Sequence, residues 1–167
     1  MGYEETVFAR ISSRETADRK LEGDNEFIWQ PKFAFDDLSD EKKKQIFSHL
    51  LFDHYNPPKF MNEGYYKTGE ELDYDPKLNH AWYEYFVKQV EAFKTNNVLV
   101  MWGDDFSHYN AVTLDKAAQI IESLNQESDK SHFGRYRIEF SSMEKYFNSV
   151  FADSKRNNVE YEVHSKD

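Results

Sequence analysis

The sequence predicts an α/β fold in which parallel strands are joined by helical crossovers. Three observations carry that prediction. From residue 77 onward, apolar periodicity alternates helix, strand, helix, strand, helix, strand, the order that builds a parallel sheet. Residues 98–106, VLVMWGDDF, open with a short Val-rich apolar run, the signature of a strand covered on both faces. Gly103 then lets the chain turn, and Asp104 and Asp105 follow at the strand's carboxyl end. That edge is where α/β folds display catalytic groups. An Asp-rich turn with no chemistry explains the same spacing, because Asp favours turns.

The elements follow in order. Residues 6–11, TVFARI, begin with β-branched and aromatic side chains and read as a strand. Residues 12–25 are polar and charged, ending in a Gly23-Asp24-Asn25 turn. Residues 26–30, EFIWQ, form a short apolar strand that Pro31 terminates. A helix start is expected over 39–45, with Ser39 as cap, acids in the first turn and lysines behind them. Residues 46–52 are apolar enough for another buried strand, or for a continuation of that helix. Asn56-Pro57-Pro58 imposes an extended or turning path, and residues 59–74 read as a long loop.

Asp75-Pro76 opens a helix, with Asp75 as cap and Pro76 at the first position. Trp82, Tyr85, Phe86, Gln89, Val90 and Phe93 share one face of it, a stripe that reads as core packing. A second face carries Leu114, Ala117, Ala118, Ile121 and Leu124. Residues 135–140 alternate as a strand, Ser141-Ser142-Met143-Glu144 forms a capping box, and Met143, Tyr146, Phe147, Val150 and Phe151 line the helix that follows. Residues 159–163, VEYEV, are a last strand.

Composition narrows the function. Phe, Tyr and Trp make up 17% of the 167 residues, enough to build a packed domain. The net charge of −10 repels phosphate backbones and anionic lipid, which argues against nucleic acid and membrane surfaces as partners. No apolar run is long enough to form a membrane segment. With no cysteine, disulfides, thiolate zinc sites and cysteine nucleophiles are excluded. The six histidines, His49, His54, His80, His108, His132 and His164, form no pair at ligand spacing and read as scattered surface residues. The compartment is not legible.

Four motifs in order then carry a resemblance. Residues 1–11, MGYEETVFARI, resemble a Met-Gly-Phe strand ending in an arginine, here Arg10. EFIWQ resembles a Glu-Phe-Val-Trp-Arg segment. Residues 54–58, HYNPP, resemble a Tyr-Asn-Pro-Pro loop with Tyr55 on its tyrosine. MWGDDF resembles a Gly-(Ser/Asp)-Asp-Phe strand end. Together they resemble the catalytic domain of glycoside hydrolase family 38, the α-mannosidases, and most closely its lysosomal-type branch. The motifs cover roughly the first two-thirds of the chain. The cysteines usual after the tyrosine in that branch are absent from 59–69.

The resemblance implies a partial (β/α) barrel and a retaining hydrolase of terminal α-linked mannose that uses zinc. Its partners would be mannose-containing glycans and the missing remainder of its own catalytic domain. Residues 1–167 would then be a partial catalytic domain, with Met1 an internal methionine. The strands carrying the nucleophile and the zinc ligands would lie on either side, leaving no metal ligands within the chain and the chain alone inactive. Asp105 aligns with the acid/base. Arg10 would orient the nucleophile through a guanidinium fork, or serve as a structural ion pair. Tyr55 would hydrogen-bond a catalytic carboxylate or the sugar, or pack as an aromatic. Asp104 would help bind substrate or be structural, since adjacent strand residues face opposite ways. Trp29 and Trp102 read as packed aromatics rather than sugar-stacking faces. The competing expectation is an inactive remnant or glycan-binding pseudoenzyme of the same fold.

Overall fold

The computed structural model describes residues 5–30, 45–61, 74–103, 105, 112–130 and 135–165. It is an α/β fold divided into two compact units. The first comprises Met1–His54, Lys88–Leu99 and Met143–Asp167, and the second Tyr55–Val87 and Val100–Ser142.

The first unit holds a four-stranded mixed sheet of β1 (Glu5–Phe8), β2 (Glu26–Trp29), β3 (Ile46–Leu50) and β5 (Val163–His164), in the order β1-β3-β2-β5. β1 lies parallel to β3, with Phe8 opposite Leu50, and β2 lies parallel to β5. β2 runs antiparallel to β3, with Glu26 opposite His49, so the sheet is mostly rather than wholly parallel. The strand expected over 46–52 resolves as β3 over Ile46–Leu50, with Phe47, Ser48, His49 and Leu50 all buried. A further short strand, β4 (Phe52–Tyr55), follows directly.

One face of this sheet is covered by α4 (Met143–Asn157), whose Tyr146, Phe147 and Val150 form a buried cluster with Phe47. Phe47 meets the rings of Phe147, Phe151 and Tyr161 edge-on, a favourable aromatic geometry. Met143, expected on that face, is 41% exposed because it occupies the helix's first turn. α4 ends on Asn158 in the left-handed region (φ 51°), with the Val159 N–H bonding Ser154 O at 2.9 Å. That is the six-to-one closure of a Schellman end, with Asn in place of glycine.

Residues 13–22, read from sequence as part of a polar connection, form α1 (Ser13–Glu22). Its apolar face is weak, so hydrophobic periodicity missed it, and its ends specify it instead. Ser12 Oγ accepts from the Glu15 N–H at 3.2 Å, the start of a capping box. Gly23 closes the helix at φ 67° while the Asp24 N–H reaches Arg19 O at 2.9 Å. A Cβ on Gly23 would come within 3.3 Å of Glu91 O, so glycine serves both the turn and the close approach.

The second unit is built around Met61, Trp82, Ile120 and Leu124, flanked by Phe60, Tyr85, Phe86, Val100, Trp102, Tyr136 and Ile138. Asp75 and Pro76 act as expected. Asp75 Oδ1 accepts from the Lys77 N–H at 3.0 Å, and a 3-10 turn over Pro76–Leu78 leads into α2 (Asn79–Ala92). α3 (Val112–Lys130) buries Thr113, Lys116, Ala117, Ile120, Leu124 and Ser128. The expected stripe is therefore rotated. Leu114 is 52% exposed, because polar Thr113, Lys116 and Ser128 take inward positions that a hydrophobicity reading assigns to solvent.

Two expected strands are not strands. Within residues 135–140, the backbone groups of Tyr136 and Ile138 are taken by side chains of α3. Asn125 pairs both the N–H and the C=O of Ile138 at 2.9 Å, and Ser128 pairs those of Tyr136 at 2.8 and 2.9 Å. The polar atoms are satisfied without a neighbouring strand, so the alternating pattern survives and the ladder does not. Residues 98–103 likewise carry no ladder. Leu99 packs in the first unit's cluster and Val100 and Trp102 in the second's, so side-chain packing holds the segment. The helix start expected over 39–44 and most of the 59–74 loop lie outside the described residues.

Candidate active site

In the second unit the structure brings together two of the four residues singled out from sequence. Tyr55 Oη donates to Asp105 Oδ1 at 2.7 Å across 50 residues of chain. Each partner is held by core packing immediately beside it. Beyond Tyr55, Pro57, Pro58 and Met61 are buried, and the Met61 N–H closes a turn on Pro58 O at 2.9 Å. Before Asp105, Trp102 is embedded in the same core, with its indole N–H on Thr113 O at 3.1 Å. The prolines pre-set the path on one side and the anchored indole sets it on the other. Asp105 itself is exposed, so a carboxyl group open to solvent is oriented by a phenol whose neighbours in the chain are buried. Asp104 lies outside the described residues.

Arg10 belongs to the first unit, two residues beyond the carboxyl end of β1 and exposed. Its Nε donates to His54 Nε2 in β4. His54 drew no attention in sequence as anything but a surface histidine. Its signal is conformational, a non-glycine residue at φ 60°, and no residue pattern reports that. Trp102 packs as expected, whereas Trp29 is 37% exposed at the end of β2.

The histidines are not uniformly on the surface. His49 is fully buried, with Nδ1 3.1 Å from Glu26 Oε1 and its ring stacked on Phe93 at 4.8 Å between centroids. Tyr146 Oη donates to the same Glu26 oxygen at 3.1 Å. Burial first, then the Glu26 charge, drives the Tyr146 phenol well above the ordinary tyrosine range. Pairing with a glutamate on the next strand is what lets an imidazole enter the core. His80 lies exposed beside Glu84 at 3.5 Å, and His108 and His132 are outside the described residues.

One grouping among the described residues has the composition of a metal site, Asp24, Glu162 and His164. It does not fit zinc. Arg19 Nη1 lies 2.8 Å from Asp24 Oδ2 and 3.4 Å from His164 Nε2, the same atoms a cation would need. The guanidinium, also stacked on Phe27 at 4.1 Å, already supplies the positive charge to the buried carboxylate.

The family model for the glycosyl hydrolases family 38 N-terminal domain matches residues 1–164. The chain belongs to that family. Two curated relatives are α-mannosidases by name. Alpha-mannosidase B of Dictyostelium discoideum is 26% identical over 168 residues, covering 89% of this chain and 15% of that protein. Alpha-mannosidase of Canavalia ensiformis is 28% identical over 136 residues, covering 76% and 13%. The chain thus spans about 15% or less of the length of the curated relatives it matches. Membership in family 38 agrees with the mixed α/β sheet.

Proposed function

We propose that this family 38 chain is part of a retaining, zinc-dependent α-mannosidase, of lysosomal type, that removes terminal α-linked mannose from glycans, with Asp105 as its general acid/base. The 2.7 Å hydrogen bond from Tyr55 to Asp105 is the observation that carries the reading. It joins two residues singled out by separate motifs, and it orients an exposed carboxyl, as a proton donor requires. The relatives' names supply the sugar class.

In this reading Asp105 delivers its proton to the glycosidic oxygen as the bond to the anomeric carbon breaks. The resulting carboxylate then takes a proton from the water that releases the sugar. A second carboxyl about 5–5.5 Å away acts as nucleophile in the retaining mechanism. That nucleophile and the zinc ligands are assigned to parts of the catalytic domain outside residues 1–167. Tyr55 holds the Asp105 side chain in one rotamer, Arg10 steers the nucleophile's charge, and Asp104 contributes to substrate binding. No step is assigned to the metal.

The test is Asp105→Asn in the full-length protein, assayed on aryl α-mannosides of differing leaving-group ability. Loss of the general acid is expected to lower turnover by roughly 10²–10⁴-fold, and less for an activated phenol that needs little protonation. Undiminished turnover would remove Asp105 from the role. A wild-type protein that binds mannosides without turning them over would favour the glycan-binding alternative.

A further inference from the structure

We infer that His54 is a positioning residue for Arg10, held in a strained backbone conformation for that purpose. The inference rests on the α-mannosidase reading, because that reading gives Arg10 a task in which the orientation of its guanidinium matters.

The fold brings the two residues together by register. β1 and β3 pair in parallel with Phe8 opposite Leu50, and the Leu51 N–H continues the pairing onto Phe8 O at 2.9 Å. The chain leaving β3 is therefore tied beside the end of β1, and residue 54 comes within reach of residue 10. β4 is also gripped by α1. Lys20 Nζ lies 3.3 Å from Asp53 Oδ1 and 4.0 Å from the Phe52 ring centroid. The two residues immediately before His54 are thus held by the same lysine of α1.

That conformation is unusual. His54 has φ 60° inside a strand, a region uncommon for residues other than glycine, which asparagine, aspartate and histidine enter more often than the rest. A left-handed residue breaks the alternation of the strand and re-aims its own side chain. Here the imidazole Nε2 receives the Arg10 Nε–H. The contact requires the neutral imidazole with its proton on Nδ1, so that Nε2 offers a lone pair. Fixing Nε fixes the plane of the whole guanidinium, since its five donors form a rigid fork. The strain belongs to a functional contact, the setting in which such outliers concentrate.

Glycine and asparagine at residue 54 separate this role from a purely structural one. Both accept a positive φ, but only asparagine offers an acceptor. In the full-length protein, His54→Gly is expected to keep or raise the melting temperature by relieving strain, while kcat on an aryl α-mannoside falls about 10- to 100-fold, the scale of a misplaced catalytic group. His54→Asn is expected to recover most of that loss. In parallel, the Arg10 Nε–H resonance should be protected from solvent exchange in the wild type and in His54→Asn, and unprotected in His54→Gly. Unchanged kcat in His54→Gly, a melting temperature that falls together with kcat, or no recovery in His54→Asn would each overturn the inference. An unprotected Nε–H in an active wild type would overturn it and leave the α-mannosidase reading standing. A wild type with a protected Nε–H and no turnover would instead fail the α-mannosidase reading, and the positioning role with it.

Discussion

If Tyr55 acts only through Asp105, the two residues must be energetically coupled, and a double-mutant cycle measures the coupling. The bond removed by Tyr55→Phe is one O–H···O contact of 2.7 Å. Asp105 becomes a charged acceptor as its proton leaves, and hydrogen bonds to a charged acceptor contribute about 1.5–3 kcal/mol. This pair is exposed, so water replaces part of the loss and the lower end applies. About 1.5 kcal/mol corresponds to roughly tenfold in rate. Tyr55→Phe alone is therefore expected to lower kcat on an aryl α-mannoside about tenfold. Phenylalanine keeps the aromatic ring and removes only the hydroxyl, so the melting temperature should hold. Asp105→Asn alone removes roughly 10²–10⁴-fold. In the double variant, Tyr55→Phe should add less than about twofold to that deficit, because a group that only orients the acid has nothing left to orient. The assay is kcat for the wild type, both single variants and the double variant in the full-length protein, with thermal melts as the control. Full additivity, a further tenfold loss in the double variant, would refute the argument and give Tyr55 a task independent of Asp105.

Two further outcomes concern the fold that carries the site. Asn125→Ala strips partners from both backbone groups of Ile138, so at about 0.5–1.5 kcal/mol per net hydrogen bond it should destabilise by roughly 1–3 kcal/mol in urea unfolding; a change below about 0.5 kcal/mol would show that the side-chain clamp does not hold residues 135–140. The Tyr161 phenol is pushed up to about 12, chiefly by burial, with Glu26 and Asp153 adding to the rise and its hydrogen bond to Ser154 opposing it. The Tyr146 phenol moves in the same direction. A raised folded-state value means that the native protein binds more protons than the unfolded chain above the ordinary tyrosine value of about 10. Stability should therefore be fully present below about pH 10 and fall as pH climbs toward 12. Tyr161→Phe should flatten that fall in unfolding curves from pH 9 to 12, and an identical slope in the variant would remove Tyr161 from the effect.

Local chemistry made much of this protein legible from its residues. Asp75 and Pro76 start a helical segment because their effects act within one turn, and the strands expected over 6–11, 26–30 and, as one of two alternatives, 46–52 form over 5–8, 26–29 and 46–50. The ordered motifs place the chain in family 38, since a motif's residues are its own evidence. α1 was hidden because its helix is specified by Ser12 and Gly23 at its ends and hardly at all by an apolar stripe. What only the tertiary structure decided is pairing between distant residues. Residues 135–140 alternate like a strand, yet Asn125 and Ser128 satisfy their backbone, and an alternating pattern says which faces are buried without saying who bonds the amides. His49 looks like any surface histidine until Glu26 lies opposite it across β2 and β3. Arg10 and Tyr55 can be named from motifs, and a catalytic carboxylate is among the partners expected of Tyr55, but His54 as the partner of Arg10 cannot be named that way. A left-handed His54 under Arg10 and a phenol 2.7 Å from Asp105 are created by register and core packing, which bring together residues about 44 and 50 positions apart with no periodicity to announce them.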